Sequence, residues 1–343
     1  MAKFTIDKAG LLTTVQDKGR WGYQQFGMSV AGAMDQFSLS LANLLVGRDR
    51  GDAALECTFL GPDISFDCQE LIAITGADME PKLNGQPAPM WASIPVKPGD
   101  KLSLGSAKSG LRTYIAFSRG LELPMIMGSR STFIRGKLGG LKGDKLEPGD
   151  EIPLGDKQAE TLSYLPREEI PVYKKHATIR VVLGPQDDYF TKEAIETFLS
   201  SSYSISSDAD RMGYRLEGPK IDHKDGADII SDGIVFGSVQ VPGHGSPILM
   251  MADRQTTGGY TKIATVVSAD LNLLAQMGPG WTMDFRELSL DEARKSYLDY
   301  EDKLSKLEEK IKKLSYQPVS TRKFSLNFQG KDYLVEVEEI DRG

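Results

Sequence analysis

The sequence is poor in the residues that build metal centres and disulfide frameworks. Its 343 residues include two cysteines, Cys57 and Cys68, and three histidines, His176, His223 and His244. The histidines are far apart, and neither a CxxC nor an HxxxH pattern is present, so we predict no metal site. Two cysteines in so long a chain predict buried, reduced thiols, which are typical of an intracellular protein.

Long apolar runs and an excess of basic charge are also missing. No stretch approaches the roughly 18 apolar residues of a membrane-spanning helix, and the N-terminus lacks the apolar region of a signal peptide. With 41 Lys and Arg against 48 Asp and Glu, the net charge is −7, which disfavours binding to nucleic acid or to anionic membranes. We therefore expect a cytoplasmic protein with neither a nucleic-acid nor a membrane partner.

Several motifs of nucleotide-binding and hydrolytic enzymes are absent. The sequence has no GxxxxGK(S/T) loop, no GxGxxG after a strand, no GxSxG and no Met-Lys-Met biotin-attachment sequence. If the reaction uses ATP or biotin, we expect another polypeptide to carry part of the machinery.

Turn residues are abundant and punctuate both halves of the chain. The 35 glycines and 17 prolines separate short runs of β-branched and apolar residues, and each half adds about one helix, over 34–47 and 188–200. This pattern predicts a mainly β protein with two small β-barrels or sandwiches, and it disfavours a doubly wound α/β fold. We place the two domains at 1–155 and 176–288, joined by a polar linker over 156–175.

The C-terminal part has a different pattern. Ser289 and Glu292 have the spacing of a capping box, and apolar residues then recur at alternating steps of four and three. This predicts an amphipathic helix over 289–316, which packs either on this chain's own barrel or against another subunit. The tail over 317–343 alternates apolar and polar residues around Gln329-Gly330, which predicts a hairpin.

Four segments combine charged residues with glycine at high density: 13–35, 128–140, 210–218 and 237–264. They contain the sequences TTVQDKGRWGYQQFG, GSRSTF, RMGYRL and DRQTTGGYTKIA. Polar groups that are buried must find partners, so these segments either bond to one another or surround a ligand.

These motifs resemble the biotin-dependent carboxyltransferase-like family. It includes the second subunit of allophanate-hydrolase-like proteins, the carboxyltransferase region of urea carboxylase and the C subunit of bacterial 5-oxoprolinases. The resemblance covers residues 5–290 and, for a chain of this length, is greatest to the 5-oxoprolinase type. It implies a pair of cyclophilin-like β-barrel domains.

The resemblance also implies a function. It implies a component of a complex that uses ATP to hydrolyse the lactam 5-oxoproline to L-glutamate, with subunit-A-like and subunit-B-like partners, the latter of the allophanate hydrolase subunit 1 type. Either this chain or a partner then binds the ATP. One alternative is the carboxyltransferase component of a biotin-dependent urea or amide carboxylase, the only case that involves biotin. Another is a non-catalytic regulator that antagonises a kinase inhibitor.

The chain departs from the family pattern at three positions. Asp210 stands where an asparagine often precedes the arginine, Asp144 stands where an arginine is common, and His244 occupies a position that is not reliably histidine. Asp210 and Asp144 change the charge near a predicted anion site, so they bear on the identity of the substrate.

The polar segments supply the predicted site residues. Asp253 is predicted as base or orienting group, Lys262 as cation and His244 as proton shuttle. Arginines suit carboxylate recognition, glutamine and threonine orient an amide, and Gly258-Gly259 permits close approach of the main chain. The predicted substrate-binding residues are Gln16, Asp17, Arg20, Ser129, Arg130, Ser131, Arg211, Tyr214, Arg215, Gln240, Gln255, Thr256, Thr257, Gly258, Gly259 and Tyr260. For each motif the alternative is a structural role, such as a buried ion pair at Arg211 or a turn around Asp17.

Overall fold

A computed structural model describes residues 2–156, 161–328 and 330–341. The first half contains β1 (Lys3–Lys8), β2 (Leu12–Gln16), α1 (Gln36–Leu45), β3 (Ala54–Thr58), β4 (Asp63–Phe66), β5 (Glu70–Asp78), β6 (Lys82–Leu83), β7 (Gln86–Pro87), β8 (Ser93–Val96), β9 (Lys101–Ser103), β10 (Ser109–Phe117) and β11 (Glu151–Pro153). The second half contains β12 (His176–Leu183), α2 (Lys192–Ser200), β13 (Ser202–Ile205), β14 (Gly213–Glu217), β15 (Asp228–Gly233), β16 (Ser238–Gln240), β17 (Ile248–Met250), β18 (Thr257–Tyr260), β19 (Lys262–Val266), α3 (Leu271–Ala275) and β20 (Thr282–Glu287). The C-terminal part contains α4 (Leu290–Lys313), β21 (Gln317–Phe328) and β22 (Lys331–Asp341).

The strands of the first half form two sheets that share one core. One sheet has the order β11-β1-β4-β9-β6-β7 and the other the order β2-β3-β10-β5-β8. Phe4 of β1 stacks on Phe117 of β10 with ring centroids 4.5 Å apart, which joins the sheets through the core. Helix α1 covers the outer face of the second sheet, and the Asp35 carboxylate caps its start by accepting from the Ser38 N–H.

The second half closes into a barrel. Its strands follow the order β12-β19-β16-β17-β14-β13-β20, and the parallel pair of β12 and β20 completes the circle. Phe198 of α2 stacks on Phe285 of β20 with centroids 4.4 Å apart. Strands β15 and β18 form a separate two-stranded ribbon. The predicted fold class, mainly β with barrel architecture and a C-terminal helix, is confirmed, while the exact domain boundaries stay a prediction.

Helix α4 packs on this chain. Ser289 and Glu292 form the predicted capping box, and Leu304, Leu307 and Ile311 are buried in a cluster with α1 residues. An ion pair of 2.7 Å between Arg50 and Glu308 adds a polar contact to the first half. Of the two packing arrangements left open by the sequence, the structure has the one in which the helix covers its own chain.

The helices also bear on the membrane prediction. Along the described residues, none of them combines the length and the apolar character that crossing a membrane requires.

The two cysteines have different surroundings, which predicts different reactivity. Cys57 is buried, and burial raises the pKa of its thiol to about 12, whereas Cys68 is half-buried. Because the thiolate is the nucleophile, iodoacetamide at mildly alkaline pH is expected to modify Cys68 slowly and Cys57 only after unfolding. Mass spectrometry of the native and the urea-unfolded protein checks this, and modification of Cys57 in the native protein would contradict it.

Candidate functional site

The first two polar segments form a hydrogen-bonded cluster around one carboxylate, which we call the Asp17 cluster. Oδ1 of Asp17 accepts hydrogen bonds from Ser129 Oγ at 2.7 Å and from Ser131 Oγ at 2.5 Å, and also from the Gly19 N–H. Oδ2 accepts from the Arg130 N–H at 2.6 Å. Four donors therefore satisfy this buried carboxylate, and they fix the 128–131 segment against the end of β2.

Arg20 adds further buried hydrogen bonds to the Asp17 cluster. Its Nε donates to the Ile126 carbonyl at 3.1 Å and its Nη2 to the Ser131 carbonyl at 2.8 Å. Burial lowers the pKa of Arg20, although the charges of Asp17 and Asp253 oppose that shift. Gln16 lies nearby, with its Nε2 donating to the Thr132 carbonyl at 3.1 Å. The side chains of Gln16, Asp17, Arg20, Ser129 and Ser131 thus hold protein groups together.

The third and fourth segments meet in a buried ion-pair network. Arg211 donates from Nε and Nη2 to the two carboxylate oxygens of Asp253 at 2.9 and 2.8 Å. Its Nη1 bonds to Glu56 of β3, and its Nη2 also donates to the Gly32 carbonyl at 2.6 Å. Glu56 and Gly32 belong to the first half, so one guanidinium joins the halves.

The charges in this network are almost completely withdrawn from solvent. Arg211, Asp253 and Glu56 are all buried. Burial opposes the charge on Arg211, but the carboxylates of Asp253 and Glu56 outweigh it and raise the pKa of Arg211. The guanidinium therefore stays protonated, and its bidentate pair occupies the Asp253 carboxylate.

A second polar network crosses the same interface. Arg112 of β10 donates from Nη1 to the Tyr214 hydroxyl at 2.7 Å, and burial raises the pKa of Tyr214. Gln276 accepts from the Arg112 N–H at 2.9 Å and donates to Asp35 at 2.7 Å. Tyr214, predicted to bind substrate, is therefore a contact between the halves.

Beside these networks, both halves line one crevice. Its volume is about 240 Å³. Arg135, which comes from the first half, contacts the Met212 sulfur. The lining residues are Arg135, Asp210, Met212, Gly213, Arg215, Gln240, Ile248, Met250, Gln255 and Tyr260. It brings together four of the predicted substrate-binding residues, Arg215, Gln240, Gln255 and Tyr260, and joins them to Arg135.

The TTGGY sequence is a strand rather than an open loop. Thr257–Tyr260 form β18 and pair with β15, and Thr256 accepts at its carbonyl from the Ile234 N–H at 3.0 Å. A Cβ on Gly258 would lie 2.6 Å from Ile234 Cδ1 and 3.0 Å from Gln240 Nε2. A side chain at 258 would therefore displace the ends of the Ile234 and Gln240 side chains. The residues that line the crevice do not include Thr256, Thr257, Gly258 or Gly259.

The three residues predicted to be catalytic do not line the crevice. Asp253 is held by Arg211, as described above. Lys262 is buried with its Nζ 2.8 Å from Oδ2 of Asp232. His244 lies in an exposed turn, where its Nδ1 accepts from the Ser246 N–H at 3.2 Å. Their catalytic roles stay predictions.

The unusual aspartates have local explanations. Oδ1 of Asp210 accepts from the N–H groups of Met212 and Gly213 at 2.7 and 3.1 Å, which closes the turn before β14. Asp144 is exposed and accepts from the adjacent Lys145 N–H. Asp210 therefore places a carboxylate in the crevice wall.

Comparison with known proteins identifies the family. The model of the carboxyltransferase domain, subdomain A and B, matches residues 26–287. The chain belongs to this family. It is also 37% identical over 294 residues to the 5-oxoprolinase C subunit of Escherichia coli, with 86% of this chain and 94% of that protein covered.

Solved structures place the carboxyltransferase fold in longer polypeptides. The crystal structure of the K. lactis urea amidolyase matches with a TM-score of 0.83 and 30% identity, covering 89% of this chain and 20% of that one. The crystal structure of TTHA0988 matches with a TM-score of 0.75 and 30% identity, covering 83% of this chain and 55% of that one. This chain thus spans about half of the second protein and a fifth of the first.

Sequence reasoning missed several residues of this carboxyltransferase-type interface. Glu56, Arg112 and Gln276 lie outside the four polar segments, yet each bonds across the halves. The available signal was a charged residue inside an apolar strand, as in AALECTF and LRTYIAF, because a buried charge needs a partner. Arg135 was within a recognised segment, but nothing in its spacing distinguished it from its neighbours.

Proposed function

We propose that this chain is the C subunit of an ATP-dependent 5-oxoprolinase complex that hydrolyses the lactam 5-oxoproline to L-glutamate. The relative in Escherichia coli that bears this name is covered over 94% of its length. The observation that carries the proposal is the crevice between the halves, where two arginines, two amide side chains and the Asp210 carboxylate line about 240 Å³. The main-chain N–H groups of Met212 and Gly213 already donate to this carboxylate, and the two guanidiniums leave the wall with a net positive charge.

The crevice chemistry suits a small anion that carries an amide. Arg135 and Arg215 approach from opposite halves, and a guanidinium can bind a carboxylate through two parallel hydrogen bonds. Gln240 and Gln255 offer both donors and acceptors to a lactam carbonyl and N–H. We assign the substrate carboxylate to the arginines and the lactam group to the glutamines.

The buried networks have a positioning role in this proposal. Arg211 is saturated by Asp253, Glu56 and Gly32, so it has little capacity left for substrate. It holds the start of β14, and thereby Met212 and Arg215, at a fixed distance from the first half. Asp253 is then the group that orients Arg211.

The ATP is proposed to bind mainly on a partner subunit. The crevice is smaller than the roughly 300–1,000 Å³ of sites that enclose larger ligands, and the sequence has no phosphate-binding glycine loop of its own. Phosphorylation of the lactam oxygen would make the ring carbon a better electrophile and remove the resonance that protects the amide. Subunit-A-like and subunit-B-like proteins are the proposed partners, and the complex is proposed to be cytoplasmic.

Reconstitution tests the proposal. We expect this chain, mixed with the subunit-A-like and subunit-B-like proteins, to form glutamate from 5-oxoproline only when ATP is added. Arg135→Ala and Arg215→Ala are each expected to raise KM by about 10- to 100-fold, because a charged hydrogen bond contributes about 1.5–3 kcal/mol. Arg294→Ala on exposed α4 is the control. Absence of ATP-dependent glutamate would refute the function, and unchanged KM in both variants would refute the site.

Carboxyl transfer to urea or a related amide is the second candidate. The match that covers 89% of this chain in a urea amidolyase favours it, and such a reaction needs biotin on another polypeptide. ADP release that depends on urea, a biotin carboxylase and a biotinylated carrier would support this function instead. The regulator hypothesis has part of its proposed contact surface covered, because Leu304, Leu307 and Ile311 are buried in this chain, whereas Tyr297 of the same helix is exposed.

A further inference from the structure

The C-terminal strands form a ribbon that joins neither the sheets of the first half nor the barrel. Strands β21 and β22 contain 12 and 11 residues and pair antiparallel along their length. Within the part of the chain that the structure describes, they pair only with each other. A ribbon of two strands is marginally stable in water unless it packs against a further layer. A surface from outside the chain would supply that layer.

One face of this ribbon carries a row of apolar side chains. Residues directly opposite each other in an antiparallel pair share a face, and so do residues two apart on one strand. Phe324 lies opposite Val335, and Leu326 lies opposite Tyr333. The row continues by one position at each end. It contains Phe324, Leu326, Phe328, Tyr333, Val335 and Val337, which we call the apolar ribbon face.

The apolar ribbon face is contiguous and open to solvent. Directly opposite side chains in an antiparallel pair have Cβ atoms about 4.5–5.5 Å apart, so the register brings the members of the face into contact range. Phe328 is 65% exposed, and Phe324, Leu326, Tyr333 and Val337 are between 45% and 53% exposed. Single exposed apolar residues are ordinary, but a contiguous exposed group of this size marks an interaction surface.

The opposite face of the ribbon has a different composition. The exposed residues Ser325, Asn327 and Asp332 alternate with members of the apolar ribbon face. Asn327 donates from Nδ2 to Oδ1 of Asp332, the residue directly opposite, at 2.6 Å. One polar and one apolar face are typical of an antiparallel layer that is solvated on one side and packed on the other. The apolar ribbon face is therefore the side that a second layer would cover.

The area of the apolar ribbon face matches what a dimer needs. Aromatic side chains present about 150–250 Å² each, so the exposed fractions given above leave roughly 500 Å² of this face open. Two copies packed face to face would bury roughly 1,000 Å², which is the lower limit for a specific interface. A second copy of the chain can therefore cover this face with an area that supports association.

The distribution of charge favours the same occupant. Arg322 and Lys331 occupy the register positions at the two ends of the row, and every position between them on this face is uncharged. The centre of the face thus has no charge for an oppositely charged partner to match. A two-fold contact uses the same surface on both copies, and apolar faces of two sheets pack on each other in β-sandwiches. An apolar centre with charge only at its ends is therefore complementary to itself.

We propose that the apolar ribbon face is an interface between two copies of this chain, which pack ribbon against ribbon as two layers of β structure. The contact is two-fold symmetric, so each copy contributes the same six residues. This inference does not rest on the proposed function. Because the buried area lies at the lower limit for a specific interface, the expected Kd is on the order of 10 µM.

Sedimentation equilibrium of the full chain, at concentrations from well below to well above this Kd, tests the interface. Leu326→Glu is expected to weaken dimerisation by roughly 100-fold or more, because a two-fold contact brings both new carboxylates into an apolar centre. Ser325→Glu is the matched control. It adds the same charge to the adjacent residue of the same strand, but on the polar face, and is expected to leave Kd within about two-fold of the wild type.

Hydrogen exchange of the wild-type protein gives a second readout that needs no substitution. The main-chain N–H groups of β21 and β22 are expected to exchange more slowly above Kd than below it, whereas those of the barrel strands are expected to exchange equally at both concentrations. A monomer at every concentration, equal Kd values for Leu326→Glu and Ser325→Glu, or ribbon protection that does not change with concentration overturns the interface.

Discussion

Replacing Arg211 with alanine is expected to lower the free energy of unfolding by about 3–5 kcal/mol, the usual cost of breaking a buried ion pair by removing one partner. The loss is large because Asp253 and Glu56 would both remain buried without their shared cation. The Gly32 carbonyl would lose a donor as well. Urea unfolding monitored by circular dichroism measures the change.

Arg215→Ala is the matched control for this prediction. Arg215 lies in the same RMGYRL motif, but it is exposed, and its Nη1 donates a hydrogen bond of 3.1 Å to the Asp208 carbonyl. Surface substitutions of this kind usually change stability by no more than about 0.5 kcal/mol. Equal destabilisation by the two alanine variants would show that Arg211 does not hold the halves together.

Local sequence signals predicted the longer helices, α1, α2 and α4, although they missed the short helix α3. Asp35 before α1, and Ser289 with Glu292 before α4, are capping residues whose bonds close within three or four positions. Such bonds depend on neighbours in the chain, so spacing alone is enough to recognise them. Short runs of β-branched and apolar residues between turn residues likewise indicated strands in both halves, which is why the fold class followed from the sequence.

Local sequence signals could not predict which charged residues pair in the buried network. Arg211 and Glu56 are 155 positions apart, and no periodicity connects them. The sequence presented two arginines four positions apart with the same chemistry, and only the tertiary arrangement turns Arg211 to the interior and Arg215 to the crevice. The polar segments were recognised, but the division between structural and crevice-facing residues was not.

This division explains why so many polar residues converge although most of them bond only to other groups of the protein. A crevice between two halves keeps its shape only if the halves are fixed relative to each other. Arg211, Arg112 and Gln276 supply directional bonds across that boundary, whereas apolar contacts alone would permit sliding. Buried polar groups here fix the relative position of the halves, and the exposed Arg135 and Arg215 are the residues that we propose for recognition.

Replacing Gly139 with alanine is expected to cause the second large effect. The added Cβ would lie 1.9 Å from the Ser131 carbonyl oxygen and 3.0 Å from Arg20 Nη2. The segment around Ser131, which belongs to the Asp17 cluster, must therefore move. Gly139 also has a φ of +70°, where a side chain costs about 1–2 kcal/mol. Overpacking adds typically about 1–3 kcal/mol, so the expected total loss is about 2–5 kcal/mol.

Gly149→Ala separates the two contributions. Gly149 has a φ of +89°, but a Cβ there would meet no atom within 4 Å, so this variant carries the backbone cost without the clash. Because Ser131 leads to Arg135, Gly139→Ala is further expected to raise KM for the substrate, while Gly149→Ala leaves KM unchanged. Unfolding curves and steady-state kinetics of both variants measure these effects. Equal losses of stability would mean that the main chain at Ser131 moves away from the new Cβ at little cost. The Asp17 cluster would then not hold the crevice wall in place.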